Sequence, residues 1–167
     1  GLGCNNFGRI GSKTEGIDGT AAVLAAAIDA GVTLLDTADM YGGNGTSERL
    51  MGEVLEHRRD EVVLATKFGH AEVEMPDLPT VPKGSRDYVL AALDASRTRL
   101  RTEVIDLYQL HTPDPVTPIG DTIAVLEELR EAGRIRSYGA SQFSAAQLRE
   151  ASDAARALGA QGFVSSQ

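Results

Sequence analysis

The chain has 167 residues, 42% of them apolar and 24% charged, with a formal net charge of −8. Those proportions suit one ordinary globular domain, and the acidic excess excludes a nucleic-acid binder, because a phosphate backbone must be met by clustered Lys and Arg. Cys4 is the single cysteine, so no internal disulfide is expected, and the sequence holds neither a charged-then-apolar leader nor an apolar run of about 18 residues. The expectation is a cytoplasmic protein without a membrane span, with an earlier leader left open by the start at Gly1 rather than Met.

The segment from Asn5 to Gly19 reads as a polar loop. Its glycines, with Gly1, Gly3 and Gly8, do not make the GxGxxG spacing of a dinucleotide fingerprint, and no helix opens directly on them. Cys4 has no adjacent His or basic helix start to activate it, so it reads as a packed small residue. Thr20 to Ala30 is Ala-rich, with Val23, Leu24, Ala27 and Ile28 on one helical face and Gly31 where a C-cap belongs. The apolar run Val32, Leu34, Leu35 then fits a strand covered on both faces and stops at Asp36, with Tyr41 in the loop beyond. Gly42 to Gly45 is a turn, and Ser47 to His57 a helix that buries Leu50, Met51, Val54 and Leu55.

A charged turn, Arg58 to Glu61, leads into Val62, Val63, Leu64 and Ala65, a second strand that runs into Thr66 and Lys67. Gly69 to Gly84 holds Pro76, Pro79 and Pro82 and interrupts the rhythm. Loops of that length are functional or disordered, and this one reads either as a substrate-side flap or as a surface excursion. Ser85 is placed as N-cap of a helix to Leu100, and the basic end, Arg97, Arg99 and Arg101, suits the negative pole of the helix dipole. A third strand, Val104 to Leu110, runs into His111. Thr117 and Pro118 read as N-cap and first helical residue of a helix through Ile119, Ile123, Leu126 and Leu129 that Gly133 ends. Ile135 to Ala140 is a strand, Ser144 with Gln147 a capping box, Gly159 the stop of that helix, and Gly162 to Ser165 the opening of one more strand. His57, His70 and His111 have no metal-ligand spacing, so no metal is expected.

Five alternations of helix and strand with short connections predict a parallel sheet. Parallel strands put all their carboxyl ends on one face, so Asp36, Lys67 and His111 converge there with Tyr41 above them. The stretches LLDTADMYGG, VLATKFG, IDLYQLHTPD and IRSYGASQFS resemble the aldo-keto reductases over nearly the whole chain, in the style of their bacterial and channel-subunit branch. The resemblance implies an incomplete (β/α)8 TIM-type barrel over residues 1–167, comprising about strands one to six, with Gly1 to Gly3 as the end of the first. It also implies that Asp36, Tyr41, Lys67 and His111 are the catalytic residues, and that Ser141, Gln142 and Gln167 hold the nicotinamide carboxamide of NADPH. The family more often has Asn where Gln142 stands. Its sites for the cofactor's pyrophosphate and adenosine phosphate lie in the last two barrel units.

The four residues have a chemical rationale of their own. An ordinary tyrosine is a sluggish acid; Lys67 beside Tyr41 would favour phenolate, Asp36 would hold Lys67 charged, and His111 would orient a carbonyl oxygen. The expectation is therefore NADPH-dependent reduction of a small aldehyde or ketone. Two other readings stand beside it: a non-catalytic regulatory subunit built on the same barrel, and a Schiff-base lyase using Lys67. An incomplete barrel also leaves open sheet edges, from which self-association is expected.

Overall fold

The computed structural model describes all residues, 1–167. In chain order it holds β1 (Leu2–Gly3), α1 (Ile17–Asp29), β2 (Leu34–Asp36), α2 (Thr46–Val54), a short 3-10 turn (Arg59–Glu61), β3 (Val63–Phe68), α3 (Arg86–Leu100), β4 (Ile105–Leu110), α4 (Ile119–Glu131), β5 (Ile135–Ala140) and α5 (Ala145–Leu158). The five strands form one sheet in the order β1-β2-β3-β4-β5, every pair parallel. A doubly wound sheet reverses its strand order at a switch point; here the order never reverses. With right-handed crossovers throughout, a sequential order keeps all helices on one face, and each helix from α1 to α5 packs on the next. No helix is long and apolar enough to cross a membrane.

The core lies between the sheet and this helical layer, with Leu24, Leu35, Leu64, Phe68, Leu93, Tyr108, Leu110, Ile123 and Leu126 at its centre. Phe68 and Tyr108, from neighbouring strands, stack with ring centroids 4.5 Å apart. Helices α2 and α3 meet closely where α2 has no side chain, at Gly52, since a Cβ there would strike the backbone of Arg99 and Leu100.

Element boundaries follow the local signals closely. Gly31, Gly133 and Gly159 all adopt positive φ at helix ends, the conformation that ends helices at least cost in glycine. The Ser144–Gln147 capping box is complete in both directions, and β5 has the expected limits. Three expectations shift. Pro118, not Thr117, is the N-cap of α4, because the Thr117 hydroxyl donates instead to Asp114 at 2.8 Å. Ser85 is N-cap of α3 by position only, its hydroxyl being buried without a partner. The strand expected over Gly162 to Ser165 is reduced to one parallel bridge, Ala140 with Ser166. Gly162 takes a left-handed turn immediately before it, so the backbone is laid beside β5 only from Val164, whose N–H bonds to Tyr138 O at 3.0 Å.

Candidate active site

Asp36 is the last residue of β2, Lys67 the penultimate residue of β3, and His111 directly follows β4. Residues paired across parallel strands face the same way, and the register puts Asp36 beside Ala65, Lys67 beside Gln109 and Gln109 beside Gly139. The strand mouths thus deliver their side chains to one place. Lys67 Nζ donates to both Asp36 oxygens at 2.7 Å and to the Thr37 carbonyl at 3.1 Å. Three acceptors match the three protons of an ammonium, which leaves no free amine for a Schiff base.

Tyr41 comes from the loop after β2, its backbone set by a bond from its N–H to Ala38 O at 3.1 Å. Lys67 Nζ lies over its ring, 5.4 Å from the centroid, within the range of cation–π attraction. The His111 ring stands edge-on to Tyr41, with centroids 5.8 Å apart. All four expected side chains therefore come together.

Their electrostatics differ from expectation at one point. The Tyr41 phenol is held above the usual tyrosine range, by burial first and then by the carboxylates of Asp36 and Asp39. A lowering by Lys67 was the sequence expectation; the geometry shows that this positive charge is spent on Asp36, which repels a phenolate in turn. His111 moves the other way, pushed down to about 4 by burial and by Lys67 and His70, with Asp36 opposing. It is a neutral imidazole at neutral pH. Its Nδ1 is buried without a partner, and because an orphaned acceptor costs less than an orphaned donor, the proton is favoured on Nε2.

Beside this group lie the three residues expected at a nicotinamide. Ser141, Gln142 and the last residue, Gln167, are drawn together by a backbone bond from Gln142 N–H to Gln167 O at 2.8 Å. Gln142 takes positive φ and donates its side-chain amide to His111 O at 3.3 Å. Gln167 reaches across the site and donates to Asp36 Oδ2 at 3.1 Å. The Ser141 hydroxyl and the Gln142 side-chain oxygen have no protein partner, so this corner offers a donor and an acceptor. That complement fits a primary carboxamide.

Behind the site lies a buried polar group that the sequence reading missed. Arg99 turns into the interior and donates to Glu48 at 2.7 Å and to Asp77 at 2.9 Å, while Thr66 donates to the other Glu48 oxygen at 2.6 Å. The spacing of Arg99 on α3 made it one of three cations at a helix end. Only the packing of α2 on α3 and of the loop over Asp77 separates it from the exposed Arg101. The same loop is pinned along its length rather than free: Met75 is buried, and Lys83 Nζ donates to the carbonyls of His70, Ala71 and Val73 at 2.7, 3.3 and 2.7 Å.

Asp39, between Asp36 at the end of β2 and Tyr41 in the loop that follows, is 1% exposed and neither of its oxygens has a bonded partner. Burial and the nearby Glu48 push its carboxyl up to about 7, with Arg99 pulling it down. The backbone N–H groups of Gly69 and Met40 face it without completing a hydrogen bond. The folded state therefore holds a proton on Asp39 to higher pH than the unfolded chain does. Stability from this group is present below the ordinary value of 3.8 and lost as pH rises through 7. Asp39→Asn is expected to raise the thermal midpoint of the full-length protein more at pH above 7 than below 4, and equal shifts at both ends would show that the carboxyl is not the cause.

The model of the aldo/keto reductase family matches residues 1–164. The chain belongs to the aldo/keto reductase family. The aldo-keto reductase YhdN of Bacillus subtilis is 38% identical over 152 residues, a match that takes in 84% of this chain and 45% of that one. A 6-dehydroglucose reductase of Novosphingobium aromaticivorans is 40% identical over 136 residues, 77% of this chain and 43% of its own. Among solved structures, an aldo/keto reductase from Klebsiella pneumoniae in complex with NADP and acetate superposes with a TM-score of 0.75 at 29% identity, covering 90% of this chain and 48% of that one. Such neighbours are TIM barrels, and the five-stranded parallel sheet with its five helices corresponds to about half of one. The chain spans less than half the length of these aldo/keto reductases.

Proposed function

We propose that the protein carrying this chain reduces an aldehyde or ketone to an alcohol at the expense of NADPH, with Tyr41 as the proton donor. The observation that carries the reading is the Lys67 ammonium, fixed by both oxygens of Asp36 and poised over the Tyr41 ring, with a neutral His111 edge-on to that ring. The bound NADP of the Klebsiella pneumoniae structure supports the choice of cofactor.

NADPH, when bound, supplies the hydride that goes to the carbonyl carbon. The residues of this chain manage the oxygen. His111, kept neutral by burial and by the positive charge of Lys67, offers an N–H to the carbonyl oxygen and orients it without taking its proton. Tyr41, held above the ordinary range, is fully protonated at neutral pH, so the donor form is always populated. As negative charge grows on the substrate oxygen, the phenol proton moves to it and solvent then returns a proton to Tyr41; the Lys67 ammonium, 5.4 Å from the ring centroid and shared with Asp36, offsets only part of the charge left on the phenolate. The ammonium is preorganised by Asp36, so little reorganisation accompanies the charge transfer. Ser141, Gln142 and Gln167 would hold the carboxamide of the bound cofactor.

The same reading carries a small-molecule carbonyl substrate and a cytoplasmic setting. NADPH oxidation by the full-length protein, measured with a panel of aldehydes and ketones, tests it. Turnover with at least one member is expected; tight NADPH binding with no turnover across the panel would replace the reading with a regulatory subunit on the same barrel.

A further inference from the structure

An α-helix leaves its first backbone N–H groups without partners inside the helix, and an N-cap side chain commonly takes one of them. At the start of α2 the N-cap is Gly45, which has no side chain to offer. The N–H of Ser47, the second residue of α2, goes instead to Tyr41 O at 3.0 Å. The chain between the two is the glycine turn from Gly42 to Gly45, and it closes tightly: a Cβ at Gly42 would strike Phe7 O and stand 3.1 Å from Ser47 N. The backbone of the proposed proton donor is thus fastened on one side by its own bond to Ala38 O and on the other by Ser47.

The Ser47 side chain reaches the other half of the site. It is wholly buried, and its hydroxyl bonds to Cys4 O at 2.9 Å and to Thr37 Oγ1 at 2.8 Å. A hydroxyl has one proton and a carbonyl only accepts, so Ser47 donates to Cys4 and Thr37 donates to Ser47; the Met51 sulfur, at 3.9 Å, is the weaker acceptor. Both partners adjoin Asp36. Cys4 N–H donates to Asp36 O at 2.8 Å. Thr37 follows Asp36 in the chain, and its carbonyl takes the third proton of the Lys67 ammonium at 3.1 Å. A serine within a helix ordinarily returns its hydroxyl to the carbonyl of the preceding turn; this one bonds to the end of β1, 43 residues away. One residue therefore ties Tyr41 to the strand end that carries Asp36 and to the peptide that receives Lys67.

We propose that Ser47 is a positioning residue for carbonyl reduction, which sets the Tyr41 phenol relative to Lys67 and Asp36 through its N–H bond to Tyr41 and its hydroxyl bonds to Cys4 and Thr37. The inference rests on the reading of Tyr41 as proton donor and deepens it. Ser47→Ala keeps the N–H bond to Tyr41 but releases the start of α2 from the ends of β1 and β2, so that α2 and Tyr41 shift together while Asp36 and Lys67 stay on the sheet.

Single-turnover reduction of the fastest aldehyde of the panel by the full-length protein, at saturating NADPH, tests it. Ser47→Ala is expected to lower the rate by roughly ten- to hundredfold, the scale of a misplacement of about 1 Å, with NADPH affinity near the wild-type value. The readout that separates positioning from a packing defect is the same substitution in the Tyr41→Phe background. With the phenol gone there is no proton donor to misplace, and because residues that act as a unit are not additive, the further loss is expected to be less than about twofold. A wild-type rate in Ser47→Ala, or an equal loss in both backgrounds, would overturn the assignment. If Ser47→Ala does not fold, Thr37→Val, which keeps the side-chain volume and removes the hydroxyl that donates to Ser47, is read in the same way, with Thr37→Ser expected to retain most of the rate. A wild-type protein that reduces no carbonyl, or a Tyr41→Phe variant as fast as the wild type, removes the proton-donor reading and this inference with it. Turnover that depends on Tyr41 but is indifferent to Ser47 and Thr37 removes only this inference.

Discussion

Tyr41→Phe in the full-length protein is expected to lower kcat for carbonyl reduction by about 10²–10⁴-fold, the range that a positioned proton donor contributes. The affinity for NADPH is expected to stay near the wild-type value, because the proposed carboxamide contacts belong to Ser141, Gln142 and Gln167. Phenylalanine keeps the ring that stands edge-on to His111 and beneath the Lys67 ammonium, so the loss reports the hydroxyl and not the packing. The phenol's position above the ordinary range has a further consequence: wild-type activity should not fall as pH rises through neutrality on account of this residue. Single-turnover rates over a pH series, with NADPH affinity measured separately, check both points. A Phe variant that reduces carbonyls as fast as the wild type would remove Tyr41 from the mechanism.

The second large effect concerns stability. Glu48 is wholly buried on α2 and Arg99 nearly so on α3, and each is the other's principal partner at 2.7 Å. Arg99→Met leaves a carboxylate enclosed with only the Thr66 hydroxyl for company, and breaking a buried pair from one side costs about 3–5 kcal/mol. Removing both charges, as in Glu48→Leu with Arg99→Met, is expected to recover much of that loss, since two apolar groups need no desolvation to be repaid. Urea midpoints of the two single variants and the double variant of the full-length protein make the cycle. A double variant as unstable as the sum of the singles would mean that the two residues act independently. Asp39 belongs to the same buried group through its coupling to Glu48 and Arg99, so the cycle is best run at one fixed pH.

Much of the fold was already legible in the amino acids. The stop at Gly31, the Ser144–Gln147 box and the limits of β5 are local events, decided by a few adjacent residues and their backbone preferences. The convergence of Asp36, Lys67 and His111 was legible too, because each ends a strand and parallel strands end on one face. Where the reading slipped, a competing partner was in play. The Thr117 hydroxyl served Asp114 instead of α4, and a glycine turn shortened the pairing beyond β5 to a single bridge.

The chain's order of residues determined by itself the alternation of elements, the parallel sheet and which side chains stand at the strand mouths, since those follow from periodicities within a few turns of backbone. Tertiary structure alone decided the inward turn of Arg99, the burial of Asp39, the bracing of His70 by Lys83 and the raised pKa of Tyr41. Each of these depends on the distance between charges contributed by different elements, and on how much water the packing between them removes. Neither quantity has any expression along the sequence.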